Sequence, residues 1–544
     1  MNQPAQKFNP TTVLIISITA FLIPLAIMVG NVLQHTRGVF AYPLDDTYIH
    51  LAVAKNLTLN NVWGVSGHEF ASASSSILYP LLLSAIFKIT GVQTIVPFIL
   101  NLATGLIFIV VLQRWLSRQG INTNGQLIAL LLTIFLVPLP GIVMIGMEHT
   151  LHLLFFFLFL TSFVEAIEGL SSSTSARMTL PSKVYLYGAL MMATRFESFI
   201  LLGAACGIPF FYRHWMLAIK LGFISFLPVI LFGIISLSKG GFFLPNAVML
   251  KPALPPLTVD GIIDYLQYEY LPRLFTASER YNTLGVQRLL LLLPLTLLLY
   301  WRSMREKIAY RYALLMLIVC SFFHIILTAY SIYARYEAYI IGSTVAVCSL
   351  LIIKYGQIQL DETSPVPQWT TWLLALFLAV PLLTRGWSIL DQVPQGSIWT
   401  NDQQVQMGQF VHKYYDSAGV VFNDIGAVSY FSEGKKVDIL GLGNNDIARL
   451  RRQHLNTPDL LDRVDSERSM KIAITYEPRF KSYAKRWRKV SSWFIPYDNP
   501  IGLYDSVTFY AVDTLEAPAL MDKLKKYQPL MPKEIVVRYY DDHQ

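Results

Sequence analysis

Long apolar runs recur through the first 390 residues of the chain, and short polar segments separate them. A helix that crosses a bilayer needs about 20 mainly apolar residues. Runs of this kind predict membrane spans at residues 12–33, 94–112, 127–143, 150–164, 215–237, 289–300, 312–329, 338–353 and 369–383. The run at 77–89 is short, contains Pro80 and stops before Gly91, so we expect it to lie at the interface or to re-enter the membrane.

The positions of lysine and arginine predict the orientation, because these residues concentrate in short cytoplasmic loops. Basic residues mark four short loops. If all four loops are cytoplasmic, residues 77–89 do not cross the membrane, and residues 184–211 cross it twice as two short helices that meet near Arg195 and Glu197. This topology has about 11 spans, a cytoplasmic N-terminus, an external C-terminus and a long first extracytoplasmic loop, 34–93. The basic residues that define the loops are Arg114, Arg118, Arg177, Lys183, Arg213, Lys220, Arg302, Arg305, Lys307 and Arg311.

The pattern changes from about residue 391 onward, where apolar runs shorten and charged residues become more frequent. Short segments with strand character occur at 419–422, 471–475, 506–512 and 535–540, and turn-forming pairs such as Asn499-Pro500 separate them. The sequence therefore predicts two parts: a transmembrane catalytic domain at 1–390 and an extracytoplasmic α/β domain at 391–544.

Composition supports this division. The chain has 544 residues, of which 54% are hydrophobic and 14% charged, whereas soluble domains carry about 25% charge. The fold class is therefore a polytopic α-helical membrane protein with a C-terminal α/β domain. The net charge of +8 is attributed to cytoplasmic loops and to contacts with membrane lipids, not to nucleic acid. Three cysteines, all in apolar runs, do not indicate disulfides or a thiolate metal site.

The most informative polar feature is the acidic pair Asp45-Asp46 in the first loop. Two adjacent carboxylates beside a bilayer are costly, so the pair is expected to serve chemistry, a cation or a salt bridge. Sugar transfer from a polyprenyl-phosphate carrier suits this position, because the acceptor hydroxyl needs a base and a carboxylate can take its proton. The second carboxylate can raise the pKa of that base, bind a divalent cation or hold the acceptor.

Other polar residues fall at the outer ends of helices in this topology. Glu148 is a second acidic group for the acceptor or a cation, or else a helix N-terminal acid that complements the helix dipole. Arg195 suits a bidentate phosphate contact, or else forms a structural pair with Glu197. A cation such as Ca²⁺, Mg²⁺ or Mn²⁺ would have Asp46 and Glu148 as candidate ligands.

Four further residues complete the candidate set. Arg335 lies at the extracytoplasmic start of a predicted span, where we expect it either to contact phosphate or sugar or to anchor the helix at the membrane interface. Asn246 and Lys251 follow a predicted span and could reach the same phosphate, unless the Pro-Asn pair is only a turn. His50 lies four residues after Asp46 and shares its face if the stretch is helical, where it could tune Asp46 or cap an interfacial helix.

Several segments, in order, resemble motifs of the GT-C glycosyltransferases, and the closest likeness is to the branch of the mycobacterial terminal arabinofuranosyltransferase. The chain departs from the pattern in the serine-rich end of GHEFASASSS at 67–76, in the insertion of His149 and in Phe196 where the family has proline. The matching segments are DDTYI at 45–49, which follows Pro43 and Leu44, with AKNL at 54–57, GMEHT at 146–150, TRFE at 194–197, LPNA at 244–247 with Lys251, and NDIGAVSY at 423–430 with DILGL at 438–442.

The resemblance implies an inverting hexosyl- or pentosyltransferase of the bacterial inner membrane. Its donor would be a polyprenyl-phosphate-linked sugar, and its acceptor an envelope glycan, lipid or protein. By the resemblance Asp45 is the base, while Asp46 orients it, binds the acceptor or joins a metal. Asp424 and Asp438 are expected at strand ends of the outer domain, with structural roles.

Two other classes remain open from the sequence. A secondary transporter or lipid flippase would have broken helices with polar groups near the membrane midplane and two related halves, and neither feature is visible in the sequence. A non-catalytic scaffold descended from such an enzyme is the third possibility, against which the intact acidic pair counts.

Overall fold

The structure is a computed structural model. It describes residues 8–171, 179–250, 259–264, 307–327, 332–355, 368–452, 469–484, 486–498 and 504–540, together with residues 267, 298, 301, 304 and 500. The helices of the first half are α1 (Pro10–His35), α2 (Asp45–Asn60), α3 (Leu78–Thr90), α4 (Val96–Arg118), α5 (Thr123–Leu136), α6 (Leu139–Ile145), α7 (His149–Ser171), α8 (Ser182–Thr194), α9 (Phe199–Phe211), α10 (Trp215–Ser238), α11 (Asn246–Met249) and α12 (Val259–Asp264). The helices that follow are α13 (Ile308–Leu327), α14 (Ala338–Tyr355) and α15 (Gln368–Thr400).

Seven helices in the described part of the chain are long and apolar enough to cross a membrane, namely α1, α4, α7, α10, α13, α14 and the helix that begins with α15. Each coincides with a predicted span, so the prediction of a polytopic membrane protein is confirmed. The predicted span at 289–300 lies outside the described residues, apart from Leu298.

The predicted span at 127–143 is divided in the structure. The helices α5 and α6 meet at an angle of 45°, and the break contains Pro138, which has no N–H group to continue an α-helix. The pair would make an eighth crossing if it forms one bent span.

The two short-helix predictions agree with the structure. The 77–89 run forms α3, which has only 13 residues. The 184–211 segment forms α8 and α9, separated at Arg195 and a 3₁₀ turn, Phe196–Ser198. Arg195 has an extended backbone (φ −151°, ψ 136°), which ends α8 where the charged residues lie.

The C-terminal part is an α/β domain, as predicted. Its helices are α16 (Gln406–Tyr415), α17 (Gly426–Phe431), α18 (Asn445–Arg452), α19 (Glu477–Ala484) and α20 (Ala517–Tyr527). Its strands are β1 (Gly419–Phe422), β2 (Lys436–Asp438), β3 (Met470–Thr475), β4 (Arg488–Phe494), β5 (Ser506–Ala511) and β6 (Val536–Tyr539). They form one sheet in the order β2-β1-β3-β5-β4-β6, in which β1 runs parallel to β2 and β3 while the other neighbours are antiparallel.

The predicted boundary at 390/391 falls inside a helix. The 33 residues of α15 pass through it and continue, by a π-helical turn at Asn401–Val405, into α16. The connection between the membrane bundle and the α/β domain is therefore a continuous helix.

The first loop contains α2, which packs against the α/β domain. Asp45 and Asp46 form its first turn, where negative charge is favourable to the helix dipole. Buried aromatic residues join the two parts, with the rings of Tyr48 and Tyr430 6.1 Å apart. The ammonium group of Lys55 donates to the carbonyl oxygen of Tyr430 and to Glu433 Oε1, both at 2.6 Å.

Candidate functional site

A cavity of about 250 Å³ opens between the start of α2, the junction of α8 and α9, and α11. It brings together polar residues that are far apart in sequence. Its charged or polar lining consists of Asp46, His50, Ser75, Arg195, Glu197 and Tyr336, and apolar side chains such as Ile49, Phe196 and Val248 complete the wall.

Asp46 faces this cavity and is held by Arg335. The Nη2 of Arg335 lies 2.8 Å from Asp46 Oδ2, and the Asp46 side chain keeps 45% of its surface exposed. Tyr333 and Ala334, just before Arg335, have positive φ angles of 64° and 56°. Non-glycine residues seldom adopt this conformation, so the backbone is strained where the chain turns to bring Arg335 to Asp46.

Glu148 lies behind the cavity wall, with a side chain that is 0% exposed. Its carboxylate contacts His50 Nε2 at 3.0 Å and Arg195 Nη1 at 2.6 Å, and it accepts a hydrogen bond from Ser75 Oγ at 2.7 Å. Burial alone would raise the pKa of Glu148, but the charges of His50 and Arg195 outweigh it and hold the pKa well below its usual range. Glu148 therefore holds two cavity-lining side chains, His50 and Arg195, from behind.

Arg195 is held on two sides. Its Nε and Nη2 donate to the two carboxylate oxygens of Glu197 at 3.0 and 2.6 Å, in addition to the bond to Glu148. Its guanidinium lies 4.8 Å from the centre of the Tyr336 ring. The ion pair that the sequence left open is thus present, and three of the five N–H groups of a guanidinium are already used.

His50 is confirmed on the same helix as Asp46, but its partner is Glu148. Its Nδ1 is 3.1 Å from Ser74 Oγ, and that hydroxyl donates to the carbonyl oxygen of Ser76 at 2.7 Å. On the other side of the ring, His50 Nε2 faces the carboxylate of Glu148. His50 therefore connects the serine-rich segment of the first loop to Glu148.

Asp45 turns away from the cavity toward the α/β domain. Its Oδ2 accepts from the backbone N–H of Gly426 at 2.7 Å, and its Oδ1 accepts from that of Ala427 at 2.8 Å. Burial, followed by the nearby carboxylate of Asp424, raises the pKa of Asp45 to about 8. The sequence could not distinguish the two acidic residues, whereas the structure gives them different partners.

Asn246 is a structural residue in this arrangement. It is fully buried, its Nδ2 donates to the carbonyl oxygen of Leu442 at 3.1 Å and to Asn445 Oδ1 at 3.0 Å, and its backbone N–H donates to Ser72. The residues after it, Ala247 and Val248, line the cavity instead. Lys251 lies outside the described residues.

The proposed cation ligands are occupied by guanidinium groups. Arg335 pairs with Asp46, and Arg195 pairs with Glu148. In the part of the chain that the structure describes, no three His, Cys, Asp or Glu residues are grouped so that they could hold a metal ion. These side chains do not offer a ready divalent-cation site, and a cation requirement stays a prediction.

Sequence reasoning missed several residues of the site. Ser74 and Ser75 lie in the segment that departs from the family motif, and that departure was the signal available for them. Tyr336 was noted only as a neighbour of Arg335. Gln404 and Tyr476, which bind Asp424, carry no recognisable motif.

The chain thus combines a helical membrane bundle, an acidic pair in its first loop and a C-terminal α/β domain. The chain is similar to the apo oligosaccharyltransferase of Archaeoglobus fulgidus, with a TM-score of 0.53 and 11% identity over 98% of this chain and 76% of that chain. ArnT from Cupriavidus metallidurans bound to undecaprenyl phosphate has a TM-score of 0.47 and 12% identity, over 92% of this chain and 97% of that chain.

One family model matches part of the sequence. Residues 396–511, which are most of the α/β domain, match a domain of unknown function (DUF8728). No curated protein matches the sequence. The fold is therefore similar to that of the archaeal oligosaccharyltransferase, and the chemistry has to be argued from the cavity.

Proposed function

We propose that the protein is a membrane glycosyltransferase that moves a sugar from a polyprenyl-phosphate donor to an extracytoplasmic acceptor. The observation that carries the proposal is the cavity in which Asp46, His50 and Arg195 meet. The fold supports it, because a protein named as an oligosaccharyltransferase shares it. The acceptor would be an envelope glycan, lipid or protein of a bacterial inner membrane, with the α/β domain on the same outer side.

The reaction in this cavity would be a direct displacement. The acceptor oxygen forms a bond to C1 of the sugar as the bond from C1 to the phosphate oxygen breaks, and the configuration at C1 inverts. The bonding electron pair leaves with the polyprenyl phosphate. The acceptor proton passes to a carboxylate, a transfer that contributes about 10²- to 10⁴-fold in rate where a base is well placed.

We assign the base role to Asp46, although the family resemblance favours Asp45. Asp46 lines the cavity, whereas each oxygen of Asp45 already accepts a backbone N–H from the α/β domain. Arg335 would hold Asp46 in one orientation. Arg195 would face the donor phosphate with the two N–H groups that its glutamate partners leave unused.

The donor sugar is open between hexoses and pentoses. The resemblance to the terminal arabinofuranosyltransferase branch makes an arabinofuranosyl donor the first to test, and mannosyl and glucosyl donors the next. A single inverted anomer in the product would support the displacement.

The test uses the full chain in lipid nanodiscs with these undecaprenyl-phosphate sugars and an envelope glycan extract as acceptor. Asp46→Asn should lower kcat at least 100-fold, because the amide cannot take the proton. The same variant should bind sugar-free undecaprenyl phosphate within about twofold of the wild type, since Asp46 has no role in holding the phosphate.

Asp391→Asn is the matched control, because it removes a carboxylate that is exposed on α15. It should leave turnover unchanged. Full turnover by Asp46→Asn would refute the assignment of the base, and absence of transfer from every polyprenyl-phosphate sugar by the wild type would refute the proposed function.

A further inference from the structure

The two contacts of Asp45 connect the first loop directly to the α/β domain. One carboxylate receives two adjacent backbone N–H groups, from Gly426 and Ala427, which lie 381 and 382 residues away in sequence. Both oxygen atoms of the Asp45 side chain are thus engaged by the backbone of the α/β domain. We call this contact the Asp45 clasp.

The clasp lies at a defined point of the sheet. The chain leaves β1 at Asn423 and Asp424 and leaves β3 at Tyr476, and these neighbouring strands run parallel. From β1 the chain goes to β2 on one side and later to β3 on the other, so the gap between their carboxyl ends is the switch point of the sheet. In open α/β sheets ligands usually bind in this crevice, and here Asp45 of the first loop is hydrogen-bonded to the start of α17, which follows β1.

A second carboxylate supports the clasp from inside the domain. Asp424 accepts hydrogen bonds from the hydroxyl of Tyr476, from Gln404 Nε2 at 3.1 Å and from Asn423 Nδ2 at 3.0 Å. Gln404 belongs to the π-helical turn between α15 and α16, and turns of this kind often occur at functional sites. The connecting helix, β1 and β3 therefore converge on the place where Asp45 is held.

Gly426 is required for the close approach. A Cβ atom at this position would lie 2.0 Å from the carbonyl oxygen of Asp45 and 2.8 Å from its Cγ. Both are far inside van der Waals contact, and one of the two atoms belongs to the backbone. An alanine at 426 would therefore push α2 away from the domain.

Asp45 and Asp46 are consecutive in the first turn of α2, so their side chains point in directions about 100° apart. One direction leads to the clasp and the other to the cavity. The residue before the helix, Leu44, gives no side-chain cap. The clasp, the ion pair with Arg335 and the hydrogen bond from the Thr47 hydroxyl to the carbonyl oxygen of Ile145 fix this helix end.

We infer that the α/β domain is part of the catalytic unit, because its Asp45 clasp positions the first turn of α2 and thereby aims Asp46 at the acceptor. The inference rests on the proposed function for the role of Asp46. In this arrangement Asp45, Asp424 and Gly426 are positioning residues. A displacement of about 1 Å at a reacting group can cost about 10²-fold in rate, so loosening the clasp should reduce kcat while leaving the donor contacts in place.

The kinetic test compares Gly426→Ala and Asp45→Asn with the wild type. Both should lower kcat at least tenfold, while the affinity for sugar-free undecaprenyl phosphate stays close to the wild-type value. Asp45→Asn, which adds no atom to the contact, should also keep the unfolding temperature close to that of the wild type. Gly207→Ala is the control, since nothing lies within 4 Å of a Cβ at that position, and it should leave kcat unchanged. Asp45→Asn, which keeps the shape of the side chain, carries the test alone should Gly426→Ala fail to fold.

Wild-type kcat in both clasp variants would overturn the inference. A rise in kcat would also overturn it, because the clasp would then hold the helix in an inactive position. Hydrogen–deuterium exchange gives a readout that needs no substrate: amides 426 and 427 should exchange at least tenfold faster in Asp45→Asn. Unchanged exchange would refute the clasp itself, whereas faster exchange in a protein without transferase activity would refute only the proposed function.

Discussion

Glu148 offers the sharpest test of how the site is held together. The perturbation is Glu148→Gln, which keeps the shape of the side chain and removes its charge. In the wild type the carboxylate meets His50, Arg195 and Ser75 with no solvent exposure. The amide of glutamine presents an NH₂ group to at least one of these donors, so a buried cation loses its partner.

The expected loss of unfolding free energy follows from the burial of Glu148. Removing one member of a buried ion pair costs about 3–5 kcal/mol, because the remaining charge is left without compensation in a poorly solvated place. At about 1.4 kcal/mol for each factor of ten, this corresponds to about a 10²- to 10⁴-fold change in the unfolding equilibrium. Glu197 retains Arg195 on its other side, so we expect the lower part of this range.

The assay is unfolding of the purified protein in mixed micelles by titration with SDS, with Glu197→Gln as the matched variant. Glu197 pairs with the same guanidinium but is 18% exposed, so water compensates part of its loss and the effect should be smaller.

The pH dependence provides a second check. Because the folded-state pKa of Glu148 lies below its ordinary value of 4.5, its stabilisation is complete above that pH and is lost as the pH falls toward the folded-state pKa. The difference between wild type and Glu148→Gln should therefore be constant from pH 6 to 8 and narrow below about pH 4.5. A Glu148→Gln protein as stable as the wild type at pH 7 would refute the reasoning.

Two further predictions concern stability. Burial, then the charge of Lys55, lowers the pKa of Lys436 to about 7. The unfolded chain therefore binds more protons than the folded protein between pH 7 and 10.5, and the stability should rise with pH in that window. Lys436→Met should remove this rise in a series of thermal unfolding curves, and an identical rise in the variant would contradict the assignment. Gly146 has a φ of 74°, and a Cβ there would lie 2.3 Å from Tyr42 Cε1, so Gly146→Ala should lower the unfolding free energy by at least about 2 kcal/mol. Gly30→Ala is the control, because nothing lies within 4 Å of a Cβ at that position, and it should not lower the unfolding free energy. Equal stability of the two variants would contradict the reasoning.

The membrane helices were largely predictable from the sequence, because a bilayer requires a long apolar run wherever a helix crosses. The break between α8 and α9 at Arg195 was predictable for a related reason. Charged residues inside an apolar stretch are costly within a bilayer, so a membrane helix is expected to end where they occur. The strands β2 and β4 were missed. β2 has only three residues, and β4 begins in a basic segment whose charges obscure the alternation of apolar residues.

The charged residues of the site were named in advance, but the partners that hold them were not. Arg195 was expected to bind phosphate, and the structure adds two glutamate partners that hold it. Asn246 was a binding candidate, and the structure adds that its amide group fastens α11 to the α/β domain; its binding role stays a prediction. These partners come from distant parts of the chain, and local sequence carries no information about which of them folding will bring together.

The sequence by itself determined that the chain is a polytopic membrane protein with an α/β domain, because hydropathy and strand alternation are local properties. It also determined that acidic and basic residues gather at one end of the helices. Only the tertiary structure decided the division between the two acidic residues. Asp45 and Asp46 are equivalent in local sequence, and they differ because packing places the amides of Gly426 and Ala427 beside one and Arg335 and the cavity beside the other.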